Sequence, residues 1–113
     1  MTARPPSLPD VLGALAEMLG DVERRTTPEG TICARAGREF AVVGTRGVAV
    51  ALDGAIAAAA RRTPDVAPST RGADWISFRP RELDRYALDR ATAWFEAAWR
   101  RAEPTDTRAA RPN

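Results

Sequence analysis

The chain has 113 residues, enough for one hydrophobic core but not for two. Its 44% hydrophobic and 28% charged residues are those of an ordinary globular domain, and no apolar run approaches the roughly 20 residues of a membrane span. The net charge of +2 is too small to mark a strongly basic surface, and a lone cysteine, Cys33, excludes an internal disulfide and a cysteine-based zinc site.

Every basic side chain is arginine, and the chain has no histidine. Residues 1–60 carry six arginines against seven acids, and residues 61–113 carry eleven against eight. The N-terminal stretch Met1-Thr-Ala-Arg-Pro-Pro has no hydrophobic signal core, so a cytoplasmic protein is expected.

Residues 1–6 read as a disordered lead-in. Ser7-Leu8-Pro9-Asp10 opens a helix with a capping-box-like pair, and Leu8, Val11, Leu12, Leu15, Met18, Leu19 and Val22 form its apolar stripe. A loop at Thr26–Gly30 precedes three short strands, Thr31–Arg35, Arg38–Val43 and Val48–Leu52, separated by turns containing Gly37, Gly44 and Gly47. Asp53 is placed to cap a short helix, Gly54–Arg62, which Thr63-Pro64 ends. The stretch 64–73 reads as a loop, long for so small a domain and so a place to look for function.

A strand around Trp75 and a long helix from Pro80 to about Ala102 follow. On that helix Leu83, Ala87, Ala91, Trp94, Phe95, Ala98 and Trp99 share one face, with Glu96 and Arg100 spaced as an ion pair on the other. Residues 103–113 read as a disordered tail. The predicted order is α-β-β-β-α-β-α. This is a single α+β domain over residues 7–102, with an antiparallel sheet of about four strands and helices mainly on one face.

The inventory of reactive groups is short. Without histidine there is no Ser-His-Asp or Cys-His arrangement and no imidazole metal ligand. Cys33 lies mid-strand among apolar neighbours and reads as a buried, inert thiol. The carboxylates of the last helix each have an arginine close in sequence, as on a solvated, ion-paired face. No cofactor is expected. Arg71, Arg79 and Arg81, around the loop and the last strand, are candidates for binding an anion.

The segment Gly37-Arg38-Glu39-Phe40-Ala41-Val42-Val43-Gly44 leads into a strand and a short helix. A proline-containing loop, Gly72-Ala73-Asp74-Trp75-Ile76-Ser77-Phe78 and a closing helix follow. This order resembles the small YjbR-like proteins and the bacterial family labelled "luciferase domain", over roughly residues 29 to 102. The resemblance implies a small α+β fold without an assigned activity. Members often carry histidines near the second strand and turn, and this chain has none, so no histidine-dependent chemistry carries over.

Strand alternation assigns Ile32, Ala34, Phe40, Val42, Val48, Val50, Leu52, Ile76 and Phe78 to the face under the helices. The second face then holds Cys33, Ala41, Val43, Ala49, Ala51 and Trp75, framed by Arg35, Glu39, Ser77 and Arg79. Trp75, Arg79, Arg71, Val43 and Arg35 are the candidate binding surface. This face is expected to be covered by the N-terminal helix, by a second copy of the chain, or by another partner or ligand. The expected function is a non-catalytic interaction or small-ligand-binding module of the YjbR-like kind. Association with nucleic acid through the arginine excess is the alternative.

Overall fold

The computed structural model describes residues 7–104. Its elements run α1 (Leu8–Leu19), β1 (Glu23–Thr27), β2 (Gly30–Arg35), β3 (Arg38–Val43), β4 (Val48–Ala51), α2 (Gly54–Ala60), β5 (Val66–Pro68), β6 (Trp75–Phe78) and α3 (Arg85–Arg101). The strands form one open sheet in the order β1-β2-β3-β4-β6-β5, with every neighbouring pair antiparallel. The α+β class is as the sequence implies. The sheet has six strands rather than about four, and the order is α-β-β-β-β-α-β-β-α.

Both additional strands are edges. Glu23-Arg-Arg-Thr-Thr has no apolar alternation because β1 is exposed along most of its length. Its charges suit an edge that must not pair with other chains. The second edge, β5, is only Val66-Ala67-Pro68, and proline is tolerated there because an edge strand needs no second row of donors. The stretch read as one long loop therefore contains a strand, and Thr26 and Thr27 belong to β1 rather than to the loop before β2.

At the N-terminus of α1, the Ser7 hydroxyl accepts the Asp10 N–H at 3.2 Å, as its sequence implies. The closing helix begins later than Pro80. Asp84 is its N-cap and accepts the Ala87 N–H at 2.9 Å, while the Arg81 N–H is held by the Asp65 carboxylate at 3.2 Å. Residues 79–84 thus form an irregular approach to the helix. Asp53 precedes α2 but makes no side-chain cap bond, and its carboxylate pairs with Arg101 at 3.4 Å instead.

All three helices feed one core. Leu8, Leu12 and Ala16 of α1, Ala57 and Ala60 of α2, and Ala87, Ala91, Phe95 and Ala98 of α3 join one buried cluster with Cys33, Phe40, Val43, Val50, Ile76 and Phe78. Phe95 meets Phe40 edge-on at 5.3 Å, and Trp94 meets Phe78 the same way at 5.2 Å. The α1 residues Pro9, Leu12 and Gly13 border a gap of about 60 Å³ with Cys33 and Val43, so α1 lies on the same side as α3.

That placement corrects the expected faces. Cross-strand partners share a face, and Cys33–Ala41–Val50–Ile76 is one such row, while Ile32–Val42–Ala49–Ser77 is the row behind it. Cys33, Ala41 and Val43 therefore face the helices, and Ile32, Ala34 and Val42 face away. In β2 the alternation is regular, but the inward set is Cys33 and Arg35 rather than Ile32 and Ala34. In β3 a β-bulge intervenes: Cys33 pairs with Ala41 but Ala34 pairs with Glu39, so Phe40 has no partner of its own. Phe40 and Ala41 both enter the core, and simple alternation fails on each side of them. Of the three covers expected for the second face, the N-terminal helix α1 is not there.

The lead-in at 1–6 and residues 105–113 of the tail expected from 103 lie outside the described residues, while the Glu103 N–H donates to the Arg100 carbonyl at 3.1 Å. Among the described residues, no helix is long and apolar enough to cross a membrane.

Candidate functional site

Ile32 and Val42 point away from the helices, yet they are only 7% and 8% exposed. The chain between β5 and β6, residues 69–74, forms a strap whose Arg71 reaches over this face and lines a cleft with Val42. Arg71 pairs with Glu39 at 2.7 Å and with Glu29 at 3.2 Å, and Glu39 also pairs with Arg25 at 3.3 Å. Behind this chain of ion pairs the Arg71 guanidinium lies 5.0 Å from the Trp75 ring centroid. Arginine stems cover apolar surface while their heads stay wet, and that is how a sheet with one helical layer keeps its other face partly dry.

The strap is tied at several points. The Trp75 N–H donates to the Gly72 carbonyl at 3.1 Å, the Leu52 N–H to the Asp74 carbonyl at 2.8 Å, and Arg61 to the Ala73 carbonyl at 2.6 Å. Arg101 of α3 adds an ion pair to Asp74 at 2.8 Å. A Cβ on Gly72 would come within 3.0 Å of the Trp75 ring, so the strap runs directly against the indole.

Beside the strap is a cleft of about 360 Å³. Val42 and Ala49, a cross-strand pair, line it, together with Gly44, Thr45 and Gly47 of the β3–β4 turn and Glu29 of the β1–β2 turn. Arg46, Arg71 and Arg79 also border it. A second cleft of about 400 Å³, with Leu8, Pro80, Arg81 and Leu83, shares Thr45, Arg46 and Arg79 with the first. Arg46 and Arg79 therefore stand on the ridge between two depressions.

Two glycines allow the turns to approach closely enough to make this cleft. Gly30 has φ +139°, and a Cβ there would meet the Val43 carbonyl oxygen at 2.5 Å. A Cβ on Gly47 would meet the Phe78 carbonyl oxygen at 2.6 Å. Gly30 thus presses the turn bearing Glu29 against the end of β3, and Gly47 brings the turn bearing Arg46 against β6 beside Arg79.

Arg71 is engaged by two carboxylates, but among the described residues neither Arg46 nor Arg79 has an ion-pair or side-chain hydrogen-bond partner. Arg81 pairs with Asp65 at 3.5 Å and lines the second cleft but not the first.

Of the five residues expected to form a binding surface, Trp75, Arg71 and Arg79 lie on the second face or border its cleft. Val43 does not, because the β3 bulge turns it into the core, where it is 5% exposed. Arg35 also belongs to the helix side. Its guanidinium lies 3.7 Å from the Trp99 ring centroid, and it donates to the Trp99 carbonyl at 2.9 Å. Arg46 and Glu29 were missed. Each sits in a short turn whose sequence identifies the turn but not the strands it will lean on.

Among the described residues, the cleft lining includes one acidic residue, Glu29, and one hydroxyl residue, Thr45. Cys33 is buried on the opposite face, and its thiol is pushed up from 9.0 to about 11 by burial, with Arg24 pulling slightly the other way. Among the described residues no three acidic or thiol side chains gather as a metal ion requires. What the site presents is positive charge at the border of a small, partly apolar depression. Comparison with protein-family models, curated proteins and solved structures finds no match to this chain.

Proposed function

We propose that the chain is a non-catalytic small-ligand-binding module of the YjbR-like kind, and that its ligand is an anion held in the cleft beside the strap. The observation that carries this reading is the pair Arg46 and Arg79. Both border one cleft, and neither is in an ion pair among the described residues. Guanidinium groups offer a planar fork of donors suited to carboxylate and phosphate. Val42 and Ala49 provide an apolar wall for the rest of a small molecule. A volume near 360 Å³ is at the lower end of ordinary ligand sites, which run from about 300 to 1,000 Å³.

Thermal unfolding of the full chain in a series of small anions (phosphate, sulfate, citrate, benzoate) tests this. At matched ionic strength, one or more anions should raise the midpoint of the wild type, and the gain should vanish in an Arg46→Ala/Arg79→Ala double variant. Equal gains in both proteins, or none in either, overturn the reading. A labelled oligonucleotide titrated at two salt concentrations separates the nucleic-acid alternative. Tight binding that weakens steeply with salt, unaffected by the small anions, places the function there instead.

A further inference from the structure

The charges around the cleft limit the kind of anion it suits. Arg46, Arg71 and Arg79 border it, and Arg25 is joined to Arg71 through Glu39. Against these four arginines stand two carboxylates, Glu39 and Glu29, which leaves two positive charges unbalanced. A carboxylate or sulfonate supplies one negative charge. A phosphate monoester supplies about −1.5 to −2 near neutral pH, together with three acceptor oxygens.

Glu29 stands against the Arg71 guanidinium at the same cleft. Its carboxylate lies in the cleft wall, 68% exposed, and occupies Nη1 of Arg71 at 3.2 Å. The other nitrogen, Nη2, is held by Glu39 at 2.7 Å. Displacing Glu29 therefore frees one edge of the Arg71 fork while Glu39 and the Trp75 ring still hold the guanidinium in place. Glu29 occupies the position that a ligand oxygen can take, and it competes with that oxygen.

We propose that the ligand is a phosphate monoester with a small apolar body, its phosphate on Arg46 and Arg79 and on the Arg71 edge that Glu29 gives up. This rests on the anion-binding reading above and narrows it to a dianion. The apolar body lies against Val42 and Ala49. Glu29 weakens binding and discriminates against ligands with too little charge to displace it.

Calorimetric titration of the full chain with phenyl phosphate and benzenesulfonate, which share a body but differ in charge, tests the proposal. At about pH 7.5 phenyl phosphate should bind about tenfold more tightly, and the advantage should shrink at about pH 5, below the phosphate's second pKa of about 6. Arg46→Ala and Arg79→Ala should each weaken phenyl phosphate binding about tenfold, and Glu29→Gln should strengthen it several-fold. Circular dichroism checks that the variants are folded, and both arginines are exposed, so their removal leaves the core intact. Equal affinity for the two probes, with both arginine variants still weakened, overturns the dianion and leaves the anion cleft standing. No binding of either probe at millimolar concentration overturns both. A single-stranded oligonucleotide that displaces phenyl phosphate at far lower concentration, with strong salt dependence, overturns the monoester in favour of a polymer of diesters.

Discussion

Arg71 and Trp75 are four residues apart in sequence, and the guanidinium of one lies 5.0 Å from the ring centroid of the other while it pairs with Glu39 at 2.7 Å. A single side chain thus joins the strap to β6 beneath it and to β3 across the open face. The cation–π contact contributes about 0.5–1 kcal/mol at a partly exposed site. The ion pairs add a few tenths each, because Glu29 is 68% and Glu39 37% exposed and water screens both.

Arg71→Ala is therefore expected to cost about 1–2 kcal/mol in urea unfolding and to shift Trp75 emission to the red. Emission from a Trp75→Phe background identifies the indole responsible. If the midpoint and emission stay at wild-type values, the strap is held by its backbone bonds alone.

Much of the fold was legible in the sequence because its central strands are apolar and bounded by glycine turns. The bounds of β3 are those expected, and α1 starts at its serine cap. Both edge strands were missed for one physical reason: an edge buries little, so its residues carry no apolar alternation. The bulge at Phe40 was invisible for another reason. Phe40 is itself the extra residue and leaves the local apolar pattern unchanged, and only pairing with β2 shows that Phe40 and Ala41 share a face. This one feature exchanged Val43 for Val42 in the candidate surface. The cleft joins Glu29, Arg46, Arg71 and Arg79 from four separate segments, a juxtaposition that spacing along the chain does not encode.

The two glycine environments give opposite expectations for the same substitution. Gly30→Ala places a Cβ 2.5 Å from the Val43 carbonyl oxygen at φ +139°, and should destabilise by about 1–3 kcal/mol. Gly54, at the start of α2, has open space where its Cβ would be, and Gly54→Ala should stabilise by about 0.4–1 kcal/mol through the unfolded chain. Chemical denaturation of both variants checks the pair. Equal and small effects would show that the Glu29 turn relaxes away from β3.

Stability should fall in alkali through Cys33. Burial raises its thiol from 9.0 to about 11, so the folded chain keeps a proton that the unfolded chain begins to release near 9. The contribution is complete below pH 9 and is lost as pH rises through about 11, about 2–3 kcal/mol at most. Cys33→Ala should flatten this part of the pH profile, measured by urea unfolding between about pH 8 and 10.5. An unchanged slope would assign the alkaline loss to other groups. The same burial predicts that an aromatic disulfide reagent labels the native thiol only as fast as the chain opens.

The far end of α3 is held by two arginines from the β2–β3 hairpin. Arg35 donates to the Trp99 carbonyl at 2.9 Å and Arg38 to the Arg101 carbonyl at 3.3 Å, so both supply donors and positive charge where the last turn has unpaired acceptors. Trp99 in turn donates from Nε1 to the Gly20 carbonyl at 2.9 Å, which joins the end of α1 to the same corner. Arg35 is 9% exposed, stacked 3.7 Å from the Trp99 ring centroid, and its Nε has no hydrogen-bond partner among the described residues. Its packing and its charge therefore act in opposite directions, because the stem fills space while a buried donor goes unmet. Arg35→Ala removes both and leaves a void, at an expected cost of about 2–4 kcal/mol. Arg35→Met keeps the stem against Trp99 and removes the unmet donor, and should cost less than about 1 kcal/mol despite the lost bond to the helix carbonyl. Urea unfolding of the two variants separates the contributions. If Met costs as much as Ala, the guanidinium's bond to Trp99 rather than its packing fastens α3 to the sheet.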